Sequence, residues 1–150
     1  MMNQHKILPP TYLLIALLAM IALHFLIPLI KIVPSPWNAI GVIFLLAGIL
    51  LNYFGGYLFH QAGTTIKPFI GSSTLVTQGV FRFSRNPMYL GFTLILGGAA
   101  ILLGTLAPFL VILVFLVLME IIFIKVEEKM LEQKFGQLYL EYKRRVQRWL

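Results

Sequence analysis

Residues 85–119, RNPMYLGFTLILGGAAILLGTLAPFLVILVFLVLM, decide the fold. After Arg85 no charged residue occurs up to Met119, and Gly104-Thr105 divides the run in two. The resulting segments, 87–103 and 106–124, lie near the lower length limit for crossing a bilayer, for which about 20 apolar residues are needed. They predict a tight transmembrane hairpin with little tilt. Its start reads as a helix start, because Ser84 or Asn86 can cap and Pro87 falls where a missing N–H costs nothing. That accounts for Asn86-Pro87 but leaves Arg85 and Tyr89 at one helix mouth, where a guanidinium and the positive end of the helix dipole converge. Such a mouth suits an anionic group; a basic residue snorkelling at the membrane surface is the alternative.

Two further charge-free runs lie upstream, Ile7 to Ile30 and Ile32 to Ile66. With 59% hydrophobic and only 11% charged residues, the composition is far from that of a soluble domain. We read the chain as an all-α membrane protein of one domain, residues 1–150. It has four transmembrane helices at about 9–30, 38–59, 87–103 and 106–124, then a cytoplasmic amphipathic C-terminal helix over 125–150. The first run is long enough to span and no small-residue cleavage site follows it, so it reads as a span and not a signal peptide. Within it His24 is the polar interruption, expected to hydrogen bond between helices. Gly41, Ala47-Gly48 and Gly55-Gly56 give the second span small residues for close packing, and Trp37 is placed as an interface anchor. Residues 60–86 are expected to fold over the bundle at the interface, with a strand-like piece at Thr74 to Thr77.

Without cysteine there is no disulfide, thiolate metal site or cysteine nucleophile. His5, His24 and His60 are too scattered for a metal site, and no P-loop, GxGxxG element or serine triad pattern occurs. The net charge of +7 flanks the spans, which points to anionic lipid headgroups and not to nucleic acid. Four spans would put Lys6, Lys67, Arg82, Arg85 and all seven basic residues after Met119 on one side, against Lys31 alone on the other. The excess of basic residues on cytoplasmic faces then predicts that both termini are cytoplasmic.

That arrangement brings the Arg85–Tyr89 mouth to the same face as Glu120, Glu127 and Glu128. Glu120 and Glu127, seven apart, would share a face of a continuous helix. Glu120, one turn inside the membrane, is either functional or salt-bridged to an interfacial base. Glu127-Glu128 beside Lys129 is either part of the same site or a solvated pair. One arginine at a helix start with carboxylates nearby fits a zwitterionic ligand: the guanidinium and dipole take a carboxylate, the acids an ammonium or ribose hydroxyls.

Leu75-Val76-Thr77, Gly79, Phe81, then Arg85, Asn86, Pro87, Tyr89 and Gly91 resemble the central Gly-aromatic and Arg-His-Pro-x-Tyr-x-Gly motif of a known superfamily. Its members are the isoprenylcysteine carboxyl methyltransferases and phospholipid methyltransferases, integral membrane enzymes. Glu127-Glu128, Leu131, Phe135-Gly136, Tyr139, Tyr142 and Val146 resemble their second signature, and Ala62-Gly63-Thr64 with Pro68 is also similar. The resemblance implies a methyltransferase dependent on S-adenosyl-L-methionine. Arg85, Asn86, Pro87, Tyr89, Gly91, Glu127 and Glu128 would bind the cofactor, and the tail would close over it. Glu120 and Asn86 are the catalytic candidates, although Asn86 stands where the family usually has His and cannot titrate. The acceptor is expected to be a lipophilic molecule or lipid reaching a cytoplasmic-face site from the bilayer, with Gly91, Gly97 and Gly98 leaving room for its chain. A prokaryotic cytoplasmic membrane is the expected location, with membrane lipids as neighbours and no obligate protein partner or nucleic acid. An NADPH-dependent reductase of the sterol reductase type and a non-enzymatic membrane scaffold are the alternatives. The reductase is disfavoured by Met88 and Phe92, where such enzymes carry Asn and an acid.

Overall fold

The computed structural model describes residues 8–27, 29–65, 67 and 72–150; His5, Lys6, Ile7, Ile66 and Pro68, named above, lie outside them. Among the described residues the only regular elements are helices. In chain order they are α1 (Pro9–Leu26), α2 (Gly41–Gln61), α3 (Pro87–Leu103), α4 (Leu106–Met119), α5 (Lys125–Phe135) and α6 (Gln137–Arg145). A short 3-10 turn, Trp37–Ile40, leads into α2, and a second, Gly79–Arg82, precedes α3. A single π turn, Glu120–Ile124, joins α4 to α5 without a break. Residues 74–77 form no strand; an isolated bridge pairs Lys31 with Thr105 instead.

Among the described residues three helices are long and apolar enough to cross a membrane: Pro9–Leu26, Trp37–Gln61 and the continuous Leu106–Phe135. The segment expected as a fourth span, α3, is apolar but only 17 residues long. It is the most enclosed of the set, packed against α2, α4 and α1. Its closest neighbour is α2, and the reason is steric. Gly41, Gly48 and Gly55 recur every two turns, and all three are buried. A Cβ on Gly41 would meet the Gly98 carbonyl, and one on Gly48 the Gly91 carbonyl. Bare backbone therefore faces bare backbone, as small residues permit in apolar surroundings. Gly91 and Gly98, expected to leave room for a lipid chain, are instead filled by Asn52, Gly48, Gly41 and Leu45 of α2. Gly97 alone of that trio faces open space: a Cβ added to it would have nothing within 4 Å.

The remaining core lies between α1, α3 and α4. Met20, Leu96, Ala100, Met119, Phe123 and Ile124 are fully enclosed there. Tyr12 meets Phe123 edge to face at 5.5 Å. The interhelical bond expected of His24 is made: its Nδ1 lies 2.8 Å from Thr105 Oγ1. At that end α1 stops at Leu26, short of the expected Ile30. The backbone N–H groups of Ile32 and Val33 donate to the Gly104 carbonyl, and Leu106 N–H to Ile30. Gly104 has φ 74° and a Cβ there would meet the Val33 carbonyl, so a side chain is excluded twice over.

The tail is two helices and not one. Gly136, at φ 51°, breaks it, and Val146 then leaves α6 in an extended conformation. The break folds α6 back so that residues 147 and 148 lie against the start of α3, where Arg85 N–H donates to the Gln147 carbonyl at 2.9 Å.

Candidate functional site

The site begins with how α3 starts. Asn86 holds the N-cap position, yet its side chain makes no capping bond. Its Nδ2 donates to the Arg148 carbonyl at 3.2 Å, and the Ser84 hydroxyl donates to the same carbonyl at 3.3 Å. Both residues expected as caps thus fasten the returning tail to the helix mouth. Pro87 takes the first helical position, where it lacks nothing.

Arg85 stands just outside that mouth. Its Nη1 lies 3.0 Å from Glu128 Oε1 and 3.3 Å from the Tyr139 hydroxyl, and the Arg85 and Glu128 side chains are each only 8% exposed. A buried pair of this kind is stable only when each charge is met and hydrogen bonded. Glu128 satisfies that condition through Arg148, whose Nε and Nη2 donate to its two oxygens at 3.0 and 2.8 Å. Arg148 also reaches Glu120 through Nη1 at 3.0 Å, and Lys125 sits 3.6 Å from the same oxygen. The bonds to Glu128 raise the Arg148 pKa, so it stays a cation throughout.

Glu120 and Glu127 do not share a face. The π turn adds one residue to the helix at Glu120–Ile124, so eight residues sweep the angle that seven would in a regular helix. Glu120 and Glu128 consequently meet the same arginine, while Glu127 turns toward α3 and accepts the Tyr89 hydroxyl at 2.8 Å. Tyr89 is itself buried against Phe92 and Phe123.

Between these elements lies a cavity of about 510 Å³, well within the size of small-molecule sites. Arg85, Asn86, Pro87, Tyr89 and Glu127 line it; Gly91, Glu120 and Glu128 do not. Gly91 serves the α2 contact, and the two acids serve Arg148. The walls that sequence reasoning did not assign are Tyr139 and Tyr142 of α6, with Phe59 and Phe81. Tyr142 donates to the Phe81 carbonyl at 2.7 Å, and burial, then neighbouring Tyr139, raises its pKa so that it remains a donor. Burial and then Glu128 likewise raise that of Tyr139. The spacing of the two tyrosines is visible in the apolar stripe of the tail; that the stripe folds back at Gly136 is not. In the sequence Arg148 is simply one of the tail's basic residues, and nothing local marks it for Glu128.

The cavity suits a zwitterionic cofactor with a heteroaromatic ring. Arg85 lines it and keeps a buried Nε–H without a hydrogen-bond partner among the described residues. The guanidinium gives this wall a cationic group able to take an anionic acceptor. Glu127 lines the cavity with a carboxyl group able to accept from an ammonium or a hydroxyl, and the aromatic side chains offer faces for a ring.

A model of the family described as "Phospholipid methyltransferase" matches residues 37–138. The chain belongs to that family. It is therefore a methyltransferase of the membrane class, which bears out the superfamily resemblance and gives no support to the reductase or scaffold readings. An uncharacterized protein of Haemophilus influenzae is 40% identical over 63 residues, which are 42% of this chain and all of that protein. No solved structure matches. The family match ends before Tyr139, Tyr142 and Arg148, so it does not bear on their roles.

Proposed function

We propose that this methyltransferase uses S-adenosyl-L-methionine and methylates a lipophilic acceptor at the cytoplasmic face of the membrane, as the isoprenylcysteine carboxyl methyltransferases do. The observation that carries the reading is the cavity uniting Arg85, Asn86, Pro87 and Tyr89 with Glu127 under the aromatic side chains of α6. S-adenosyl-L-methionine supplies a methyl group already activated on a sulfonium. Arg85 holds the carboxylate end, aided by the first turn of α3, and Glu127 the ammonium or a ribose hydroxyl. Tyr89 fixes the Glu127 carboxylate by its 2.8 Å bond. Tyr139, Tyr142, Phe81 and Phe59 enclose the ring and exclude water.

Asn86, which lines the cavity, orients an acceptor group without exchanging a proton. A carboxylate acceptor needs no base. For an amine acceptor, Glu120 serves only after release from Arg148 and Lys125, which now hold it. Met88 and Phe92 of α3 and Pro9 and Pro10 of α1 extend the cavity wall into the apolar bundle. The acceptor chain accordingly lies between α1 and α3 and not along the glycine face that α2 occupies.

The arrangement has four crossings, with α3 as the shortest, and both termini in the cytoplasm of a prokaryotic cell. Cysteines introduced at Ser35 and Gln147 test it: labelling of Ser35→Cys from outside and Gln147→Cys from inside is expected, and the reverse overturns it. The cofactor assignment is tested by titrating the purified protein with S-adenosylhomocysteine and with NADPH. Saturable binding of the first alone is expected, and binding of NADPH alone contradicts the reading.

A further inference from the structure

We propose that Arg148 is a positioning residue for cofactor binding: it takes up the charge of Glu128, so that Arg85 presents an uncompensated positive charge to the carboxylate of the methyl donor. The inference rests on the cavity being the S-adenosyl-L-methionine site.

Arg85 and Glu128 by themselves form a closed buried pair of zero net charge. Such a pair orients the guanidinium but has little attraction left for another anion. Arg148 changes the balance. Its fork occupies both oxygens of Glu128, and it shares Oε1 with Arg85 Nη1 at 3.0 Å each. The three groups then carry one net positive charge. Arg85 is the member of the three that lines the cavity, and it also keeps a buried Nε–H without a hydrogen-bond partner among the described residues. Glu120 balances Arg148 from the outer side but is shared with Lys125, 3.6 Å from the same oxygen. With Lys125 and Glu120 counted beside the three, the five groups still carry one net positive charge.

A purely mechanical role for Arg148 is separable from this one. The strap around it is held by backbone: its carbonyl accepts from Ser84 and Asn86, and Gln147 accepts from Arg85 N–H. Trp149 packs on the core beside it. None of those contacts uses the guanidinium, so removing its charge leaves the strap fastened.

The test compares two ligands on the full-length protein in detergent by calorimetric titration. S-adenosylhomocysteine has the carboxylate; 5′-methylthioadenosine has the same nucleoside without the amino-acid portion. Arg148→Met should weaken S-adenosylhomocysteine at least about tenfold, the scale of one charge-assisted contact, while 5′-methylthioadenosine stays within about twofold. Arg148→Lys, which keeps the charge but not the fork, should restore most of the difference. Equal weakening of both ligands shows a structural latch and overturns the proposal, as does no weakening of either. Should Arg148→Met fail to fold, Arg148→Lys decides: a small selective loss for S-adenosylhomocysteine supports the proposal, and an equal loss for both ligands contradicts it. If wild-type protein binds neither ligand, it is the cofactor reading that fails.

Discussion

The seam between α2 and α3 and the mouth between α3 and the tail hold the same helix by opposite means. At the seam Gly41, Gly48, Gly91 and Gly98 bring two backbones together, with the Asn52 side chain, bonded to the Gly48 carbonyl, among them. At the mouth Arg85, Glu128, Arg148 and Glu120 alternate in sign, and every contact is a charge or a hydrogen bond. In apolar surroundings, sterics can fix a helix but cannot recognise a polar ligand. Close packing along α2 thus holds α3 in place while its first turn is left to polar partners.

The largest effect should come from filling the seam. Gly48→Leu pushes a side chain into the Gly91 carbonyl and Ile95, and should cost about 3 kcal/mol or more, read as a large fall in melting temperature in detergent. Gly97→Leu, which meets nothing within 4 Å, should change stability by no more than about 0.5 kcal/mol. If the two variants melt alike, the seam is not the anchor. At the mouth, Glu128→Gln leaves Arg85 and Arg148 facing one another without their shared carboxylate. A loss of about 3 kcal/mol is expected, and it should shrink when Arg148→Met is added, since the second change removes the repulsion.

The junction between the two regions offers a sharper contrast. Ile121 is exposed and lies in the π turn. Deleting it should relax the turn to a regular α-helix and keep both acid pairings, whereas inserting an alanine there should rotate α5 by about 100° and abolish cofactor binding. Loss of binding in the deletion variant would show that the π turn itself is required. Tyr89→Phe removes only the 2.8 Å bond to Glu127, and should weaken S-adenosylhomocysteine by about tenfold with little change in melting. The smallest effect belongs to Arg145→Ala. Its pair with Glu141 is on the surface, with Arg145 76% exposed, and binding and melting should both stay at wild-type values within error.

Much of this is readable in the residues because the relevant signals are local. Pro87 marks a helix start, Gly104-Thr105 a tight turn, and the glycine spacing of α2 a packing face. The Arg85–Tyr89 mouth and Glu127 are legible for the same reason, being motif and helix end together. What the residues do not disclose depends on how distant parts meet. A glycine stripe looks the same whether lipid or another backbone fills it, so Gly91 and Gly98 read as room for an acceptor chain when α2 in fact fills them. The residue added at Glu120–Ile124 has no signature in an unbroken apolar run, and it decides which acid faces the cavity. The apolar stripe of the tail carries across Gly136, so its period does not disclose that α6 turns back and delivers Arg148 to Glu128.

The dissociation constant of S-adenosylhomocysteine, measured side by side in wild type, Arg85→Ala and Arg145→Ala, probes the mouth of α3 directly. Saturable binding is predicted for wild type and Arg145→Ala alike, with Arg85→Ala weaker by about 2–5 kcal/mol, the scale of losing a buried charged partner. Equal affinity in all three would contradict the claim that the mouth of α3 is the cofactor site.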